Sequence, residues 1–237
     1  MLTVHHLNNS RSQRVLWLLE ELGVAYEIVR YQRQPDMRAP KELRAIHPLG
    51  KSPVITDGGN TIAESGAIVE YIVGTYGNGR LIPPANTPER LRYTYWLHYA
   101  EGSAMPPLLL KLLFTLMPKR APALLRPLVR KVSSQALTTL VNPQLKQHMA
   151  FWEEELAKSE WFAGPEFTAA DIQMSFPLEA AASRGGLNES RPKLWAFLKK
   201  IHERPAYQRA LDRAARQEPD GDPESGAPAR LHGARAG

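Results

Sequence analysis

Three short polar turns hold the residues whose types and spacing could do chemistry. The first is Asn9-Ser10-Arg11-Ser12-Gln13-Arg14, set between the β-type run LTVHHL and the amphipathic run VLWLLEEL. A hydroxyl placed there sits over a helix N-terminus, where free backbone N–H groups and the helix dipole favour negative charge. The same surroundings lower the pKa of a thiol, so a ligand sulfur docked on Ser10 would be held as a thiolate. Ser10-x-x-Gln13 is also the spacing of a capping box, in which Ser10 would serve only its own helix. Asn9 and Ser12 are rivals for the donor role within the same turn.

The second turn is His47-Pro48-Leu49-Gly50-Lys51-Ser52-Pro53-Val54-Ile55. A proline entering a strand in this way often has a cis peptide bond, which would turn the Ser52 backbone outward. Ser52 could then offer N–H and C=O to an extended peptide-like ligand, as an added strand would receive them. Lys51 supplies a cation for a carboxylate, or is simply a solubilising lysine, and His47 reads as a hydrogen-bonded structural histidine. The third turn carries Glu64-Ser65. Ser65 and a helix N-terminus suit a carboxylate, and Glu64 suits an ammonium, so the pair matches both charges of an α-amino acid group. An ordinary helix cap is the alternative.

The elements that must position these turns follow from periodicity. LTVHHL is a strand, Gln13 to Leu22 is a helix stopped by Gly23, and Ala25 to Tyr31 is a second strand. A short helix over Lys41 to Ile46 precedes a strand over Pro53 to Thr56, and Asp57-Gly58-Gly59-Asn60 turns into another strand at Thr61-Ile62. Ser65 caps a helix to Tyr76. The order β-α-β-α-β-β-α is that of a thioredoxin-like α/β domain, assigned to residues 1–80, whose three turns reach one edge. Leu81-Ile82-Pro83-Pro84 reads as a linker, and 87–215 as an all-α domain with helices near 88–117, 121–158, 169–183 and 191–213. Pro118, Pro122, Pro127 and Pro143 mark breaks or kinks. Phe167-Thr168-Ala169-Ala170-Asp171-Ile172 is a capping box with a hydrophobic staple, a structural signal. Residues 216–237, rich in Pro, Gly and charge, read as a disordered tail.

Composition narrows the chemistry. The chain has 237 residues and no cysteine. Disulfides, thiolate zinc sites and a protein-borne thiol nucleophile are thereby excluded, so sulfur chemistry would need a sulfur brought by the ligand. No metal is called for. No stretch is long and apolar enough for stable membrane insertion, and no secretory signal opens the chain, which points to the cytoplasm. The net charge of +6 is concentrated, because no acid occurs between Glu101 and Glu153. That interval carries Lys111, Lys119, Arg120, Arg126, Arg130, Lys131 and Lys146. With Phe114 the only aromatic between Lys111 and Lys146, it reads as a solvated or cleft-lining face rather than a nucleic-acid surface.

Taken together, the turns resemble the cytosolic glutathione transferase superfamily over roughly residues 1–213. The resemblance rests on Ser10 to Arg14 leading into VLWLLEELGVAYE, on HPLGKSPVI, on Glu64-Ser65, and on Thr168-x-x-Asp171. KELRAIHPLGKSPVI and TYWLHYAEGSAMPPLL are similar to its fungal and bacterial branch. The resemblance implies a serine-type enzyme in which Ser10 hydrogen-bonds the glutathione sulfur. Lys51 would meet the glycyl carboxylate, Ser52 (before cis Pro53) the cysteinyl backbone, and Glu64 with Ser65 the γ-glutamyl end. Glu101 resembles an acid that reaches across a homodimer interface toward the same group. His47 stands where the family usually has Asn. A hydrophobic electrophile would sit between the domains near Tyr95, Tyr99, Met105 and Leu108, and the role would be detoxification. Glutathione-dependent peroxide reduction at the same site and a non-catalytic scaffold are the alternatives.

Overall fold

The computed structural model describes residues 1–8, 10–34 and 38–215, so Asn9 and the segment 216–237 lie outside the described residues. Strand β1 (Leu2–Leu7) is central in a four-stranded sheet of order β2-β1-β3-β4. It pairs in parallel with β2 (Tyr26–Tyr31) and antiparallel with β3 (Val54–Asp57), which continues antiparallel into β4 (Asn60–Ala63). A central strand is covered on both faces, so the two histidines of LTVHHL are buried along with Leu2, Val4 and Leu7.

Helix α1 (Ser12–Leu22) buries Val15, Leu16, Trp17, Leu18, Leu19 and Leu22 and ends at Gly23, whose φ of 66° gives the left-handed cap. Helix α2 (Lys41–Ile46) occupies the predicted span, and α3 (Ser65–Tyr76) closes the first half of the chain. The Ser52–Pro53 bond is cis.

The run expected near 88–117 is continuous and extends to Arg120, with a π-helical turn inside it. Helix α4 (Pro88–Tyr99), capped by the Thr87 hydroxyl accepting from Arg90 N–H at 3.2 Å, does not stop before the prolines at 106 and 107. It passes through a π-helical turn (Ala100–Ala104) into α5 (Met105–Arg120). A wider turn absorbs prolines that lack an N–H and would clash with carbonyls one α-turn back. The same device, Leu137–Val141, joins α6 (Arg126–Ala136) to α7 (Asn142–Lys158) ahead of Pro143. Pro118 lies inside α5, which ends two residues later.

Helix α8 (Ala169–Ala180) is the hub of this half, packing on α1, α3, α4 and α9. Its capping box forms as expected: Thr168 Oγ1 accepts from Ala170 N–H at 3.3 Å, and Asp171 accepts from Thr168 N–H at 2.8 Å. Asp171 also accepts from Phe162 N–H at 2.8 Å. The helix expected over 191–213 is two, α9 (Pro192–His202) and α10 (Pro205–Ala215). Pro205 bars its predecessor Arg204 from helical geometry, which forces the break. From Leu109 to Leu140 only Ser133 is buried, so the α5–α6 hairpin projects beyond the core.

Candidate functional site

The edge where β1 runs into α1 gathers the first two turns. Ser10 is buried, and its Oγ lies 2.7 Å from Ser12 Oγ and 3.1 Å from Ser52 Oγ. Residues distant in sequence thus share one hydroxyl cluster. The reciprocal capping box is not made: Ser10 Oγ accepts from Ser12 N–H at 3.3 Å, and the Gln13 side-chain nitrogen is buried without a partner. Arg11 holds the cap position but its side chain does not cap the helix, so the Ser12 N–H at the start of α1 is met by the Ser10 hydroxyl instead.

His6 lies behind this cluster, with Nδ1 2.8 Å from Ser12 Oγ. Burial, and then the Arg30 cation, hold its pKa down at about 4, so the ring is neutral. Ser52 Oγ donates to the His5 carbonyl at 3.3 Å. Lys51 is exposed at the rim.

The third turn is tied in by Arg14, a residue whose importance periodicity did not reveal. Arg14 is 2% exposed, and it donates to Ser65 Oγ at 3.1 Å, to the Gln173 carbonyl at 2.6 Å and to Glu101 in a short ion pair. Burial pulls its pKa down while Glu101 sustains the charge. Ser65 is not the cap of α3. It is the first helical residue, Glu64 is the cap, and the Ser65 hydroxyl oxygen accepts from Arg14, which leaves its O–H to donate. Glu64 adopts φ 70° and ψ 124°, a conformation that normally belongs to glycine, with its side chain exposed. Backbone strain of this kind clusters at ligand clamps. A charge at the fourth position ahead of Leu18, on the stripe that packs inward, was the available sequence signal for Arg14.

Glu101 sits on the first π-helical turn and is engaged within its own chain, by Arg14 and by Arg11 at 2.9 Å. Phe176 from α8 lies under both guanidiniums, 5.5 Å from Arg11 and 5.3 Å from Arg14. Arg184, whose pKa is lowered by burial and by Arg11, completes a cationic border and donates to the Leu108 carbonyl at 3.4 Å.

Of the four residues expected to line an electrophile pocket, only Tyr95 is exposed. Leu108 is fully buried and Met105 nearly so, leaving neither with surface to offer. Tyr99 is core: its hydroxyl accepts from Trp152 Nε1 at 3.0 Å and meets His148 in a short hydrogen bond. Tyr95, stacked on Tyr99, borders a shallow cleft of about 340 Å³ with Leu91, Arg92, Trp96 and Glu155. Helical periodicity marks an inward face but does not say whether a core or a cavity lies there. No cluster suited to a metal ion occurs among the described residues.

Comparison with known proteins agrees with this arrangement. Residues 1–74 match the family model described as glutathione S-transferase, N-terminal domain, and residues 116–205 match its C-terminal domain. Glutathione S-transferase 3 of Schizosaccharomyces pombe is 36% identical over 90% of this chain and 88% of its own length. Glutathione S-transferase 1 of Saccharomyces cerevisiae is 32% identical over 90% of this chain and 95% of its own. A solved glutathione S-transferase from Actinobacillus pleuropneumoniae superposes with a TM-score of 0.71 at 31% identity, covering 90% of this chain and 92% of that one. With two domain models in order and relatives matched nearly end to end, the chain belongs to the cytosolic glutathione S-transferase superfamily.

Proposed function

We propose that this enzyme binds glutathione along the three turns and presents its sulfur, as a thiolate, to hydrophobic electrophiles. The observation that carries the reading is the convergence at Ser10. Its hydroxyl is within hydrogen-bond reach of Ser52, beside the cis proline turn, and stands at the N-terminus of α1, where it accepts from the Ser12 N–H. Lys51 meets the glycyl carboxylate, the Ser52 backbone pairs with the cysteinyl unit ahead of Pro53, and Glu64 with Ser65 holds the γ-glutamyl end. Arg14 fixes Ser65 from below, so the third turn is held to the first by a buried cation.

In the reaction the thiol proton leaves to solvent on binding. The sulfur lone pair then forms the S–C bond, and the electrophile's leaving group departs with its electron pair. Ser10 O–H and the helix N-terminus stabilise the thiolate, moving the thiol pKa from about 8.5 toward neutrality. The cationic border of Arg11 and Arg184 beside Phe176 supports a preference for electrophiles that combine an apolar body with a negative group. The active unit is a homodimer of two-domain subunits, 1–80 and 87–215, acting in the cytoplasm.

Titrating the thiolate absorbance of bound glutathione tests the reading. Wild type is expected to show a bound-thiol pKa below that of free glutathione, and Ser10→Ala to raise it. A wild-type value equal to free glutathione overturns the catalytic assignment and leaves a binding scaffold.

A further inference from the structure

The hydroxyl cluster contains more partners than protons, and counting them orders it. Ser10, Ser12 and Ser52 each have one O–H proton and can each accept more than one hydrogen bond. Ser52 spends its proton on the His5 carbonyl. The 3.1 Å contact between Ser52 and Ser10 is therefore donated by Ser10 when no ligand is bound. Ser10 then has nothing left to give Ser12, so Ser12 must be the donor across the 2.7 Å contact, alongside its backbone N–H at 3.3 Å. With its proton committed to Ser10, Ser12 can only accept from His6 across their 2.8 Å contact. The ring must therefore carry its proton on Nδ1.

The surroundings of His6 keep the ring neutral, so only one of its two nitrogens carries the proton that the chain of hydroxyls orders. His6 is paired in register with Arg30 on the parallel neighbour β2, which places a cation next to the ring. A neighbouring cation favours the neutral ring, with one N–H, over the doubly protonated one. His6 is 6% exposed. The opposite tautomer would reverse the chain: Ser12 would donate to His6, Ser10 would donate to Ser12, and the Ser10 proton would point away from the ligand.

We propose that His6 and Ser12 are positioning residues that aim the Ser10 proton, through the chain His6 Nδ1–H to Ser12 Oγ–H to Ser10 Oγ–H, at the glutathione sulfur. The inference rests on the assignment of Ser10 as the sulfur's donor. When glutathione binds, the Ser10 proton swings from Ser52 to the sulfur, and neither Ser12 nor His6 changes partner. No proton moves between residues; the chain fixes a direction. His6 and Ser12 touch no part of the ligand in this scheme.

The test uses the full chain and glutathione itself, comparing wild type with Ser10→Ala, Ser12→Ala, His6→Leu and His6→Asn. The readouts are the bound-thiol pKa and, separately, the glutathione Kd. Ser12→Ala and His6→Leu are expected to raise the bound-thiol pKa by about half to one unit, the scale of one lost hydrogen bond, with Kd for the neutral-thiol form unchanged. His6→Asn is expected to restore the wild-type value, because its amide N–H falls where Nδ1–H stood. A Ser10→Ala shift without a shift in Ser12→Ala overturns the relay and spares the Ser10 assignment. No shift in Ser10→Ala overturns the assignment and the relay together. Should His6→Leu fail to fold, the nitrogen chemical shifts of the His6 ring in wild type decide independently: a protonated Nδ1 supports the chain's direction, and a protonated Nε2 overturns it.

Discussion

Arg14 Nη1 donates to the Gln173 carbonyl at 2.6 Å, the carbonyl that Pro177 leaves without its intrahelical partner. A proline inside α8 thus supplies an acceptor for a cation in α1, and that cation holds Ser65 and Glu101. The two halves of the molecule are joined through a hydrogen bond that an ordinary helix would have kept for itself.

Replacing that proline should therefore gain little. Removing a helix-interior proline ordinarily stabilises by about 3 kcal/mol. In Pro177→Ala the new N–H competes with Arg14 for the Gln173 carbonyl, and we expect a gain of under about 1 kcal/mol by urea denaturation. The full proline gain would show that the Arg14 bond contributes nothing.

Removing the cation should be severe. Arg14→Met strips donors from Ser65 and Gln173 and leaves Glu101 to Arg11 alone, at a cost of about 3 kcal/mol, the low end for breaking a buried pair. Arg14→Lys keeps the charge but cannot serve three acceptors in the planar pattern of a guanidinium. It should recover less than half of the loss in the same denaturation experiment.

At Glu64 the fold and the ligand are expected to pull apart. Glycine adopts φ 70° freely, so Glu64→Gly should stabilise the protein by about 1 kcal/mol. The same change deletes the carboxylate assigned to the γ-glutamyl ammonium, and glutathione Kd should rise about tenfold, the scale of one charge-assisted hydrogen bond. Calorimetric titration beside a denaturation curve reads both. A stabilised protein with unchanged affinity would remove Glu64 from the site.

Acid should act on the fold through His6. Its pKa is about 6.5 unfolded and about 4 folded, so the unfolded state binds the proton more readily. The contribution is fully present above pH 6.5 and is lost as pH falls toward 4, amounting to about 3 kcal/mol. Asp171 has the opposite slope, because burial raises its pKa to about 6 and favours its protonated form in the fold. The difference between wild type and His6→Asn isolates the histidine. Wild-type stability should fall relative to His6→Asn by about 3 kcal/mol from pH 6.5 to 4, and a pH-independent difference would refute the assignment.

What could be read in advance followed from local chemistry. Lys41–Ile46 announced itself by pattern, the Thr168–Asp171 box by spacing, and the Ser52–Pro53 bond by proline in its setting. The role of Arg14 was hidden for the opposite reason. Arg14 acquires its acceptor from a residue 159 positions away, freed by a proline that in sequence suggests only a kink. Tyr99 and Leu108 show the limit from the other side: an apolar helical face is the same string whether it lines a cleft or fills a core.

The π-helical turn at Ala100–Ala104 has a consequence that concerns phase rather than shape. One residue advances an α-helix by about 100°. The surplus residue in that turn offsets the angular setting of everything after it, so α5 follows α4 in line but out of step. Glu101 lies inside the offset, where α4's facing rule no longer applies and α5's has not begun. A single-residue deletion between 100 and 104 would therefore act as a rotation, not a shortening, turning the α5–α6 hairpin about the column while the sheet and its three turns stayed put.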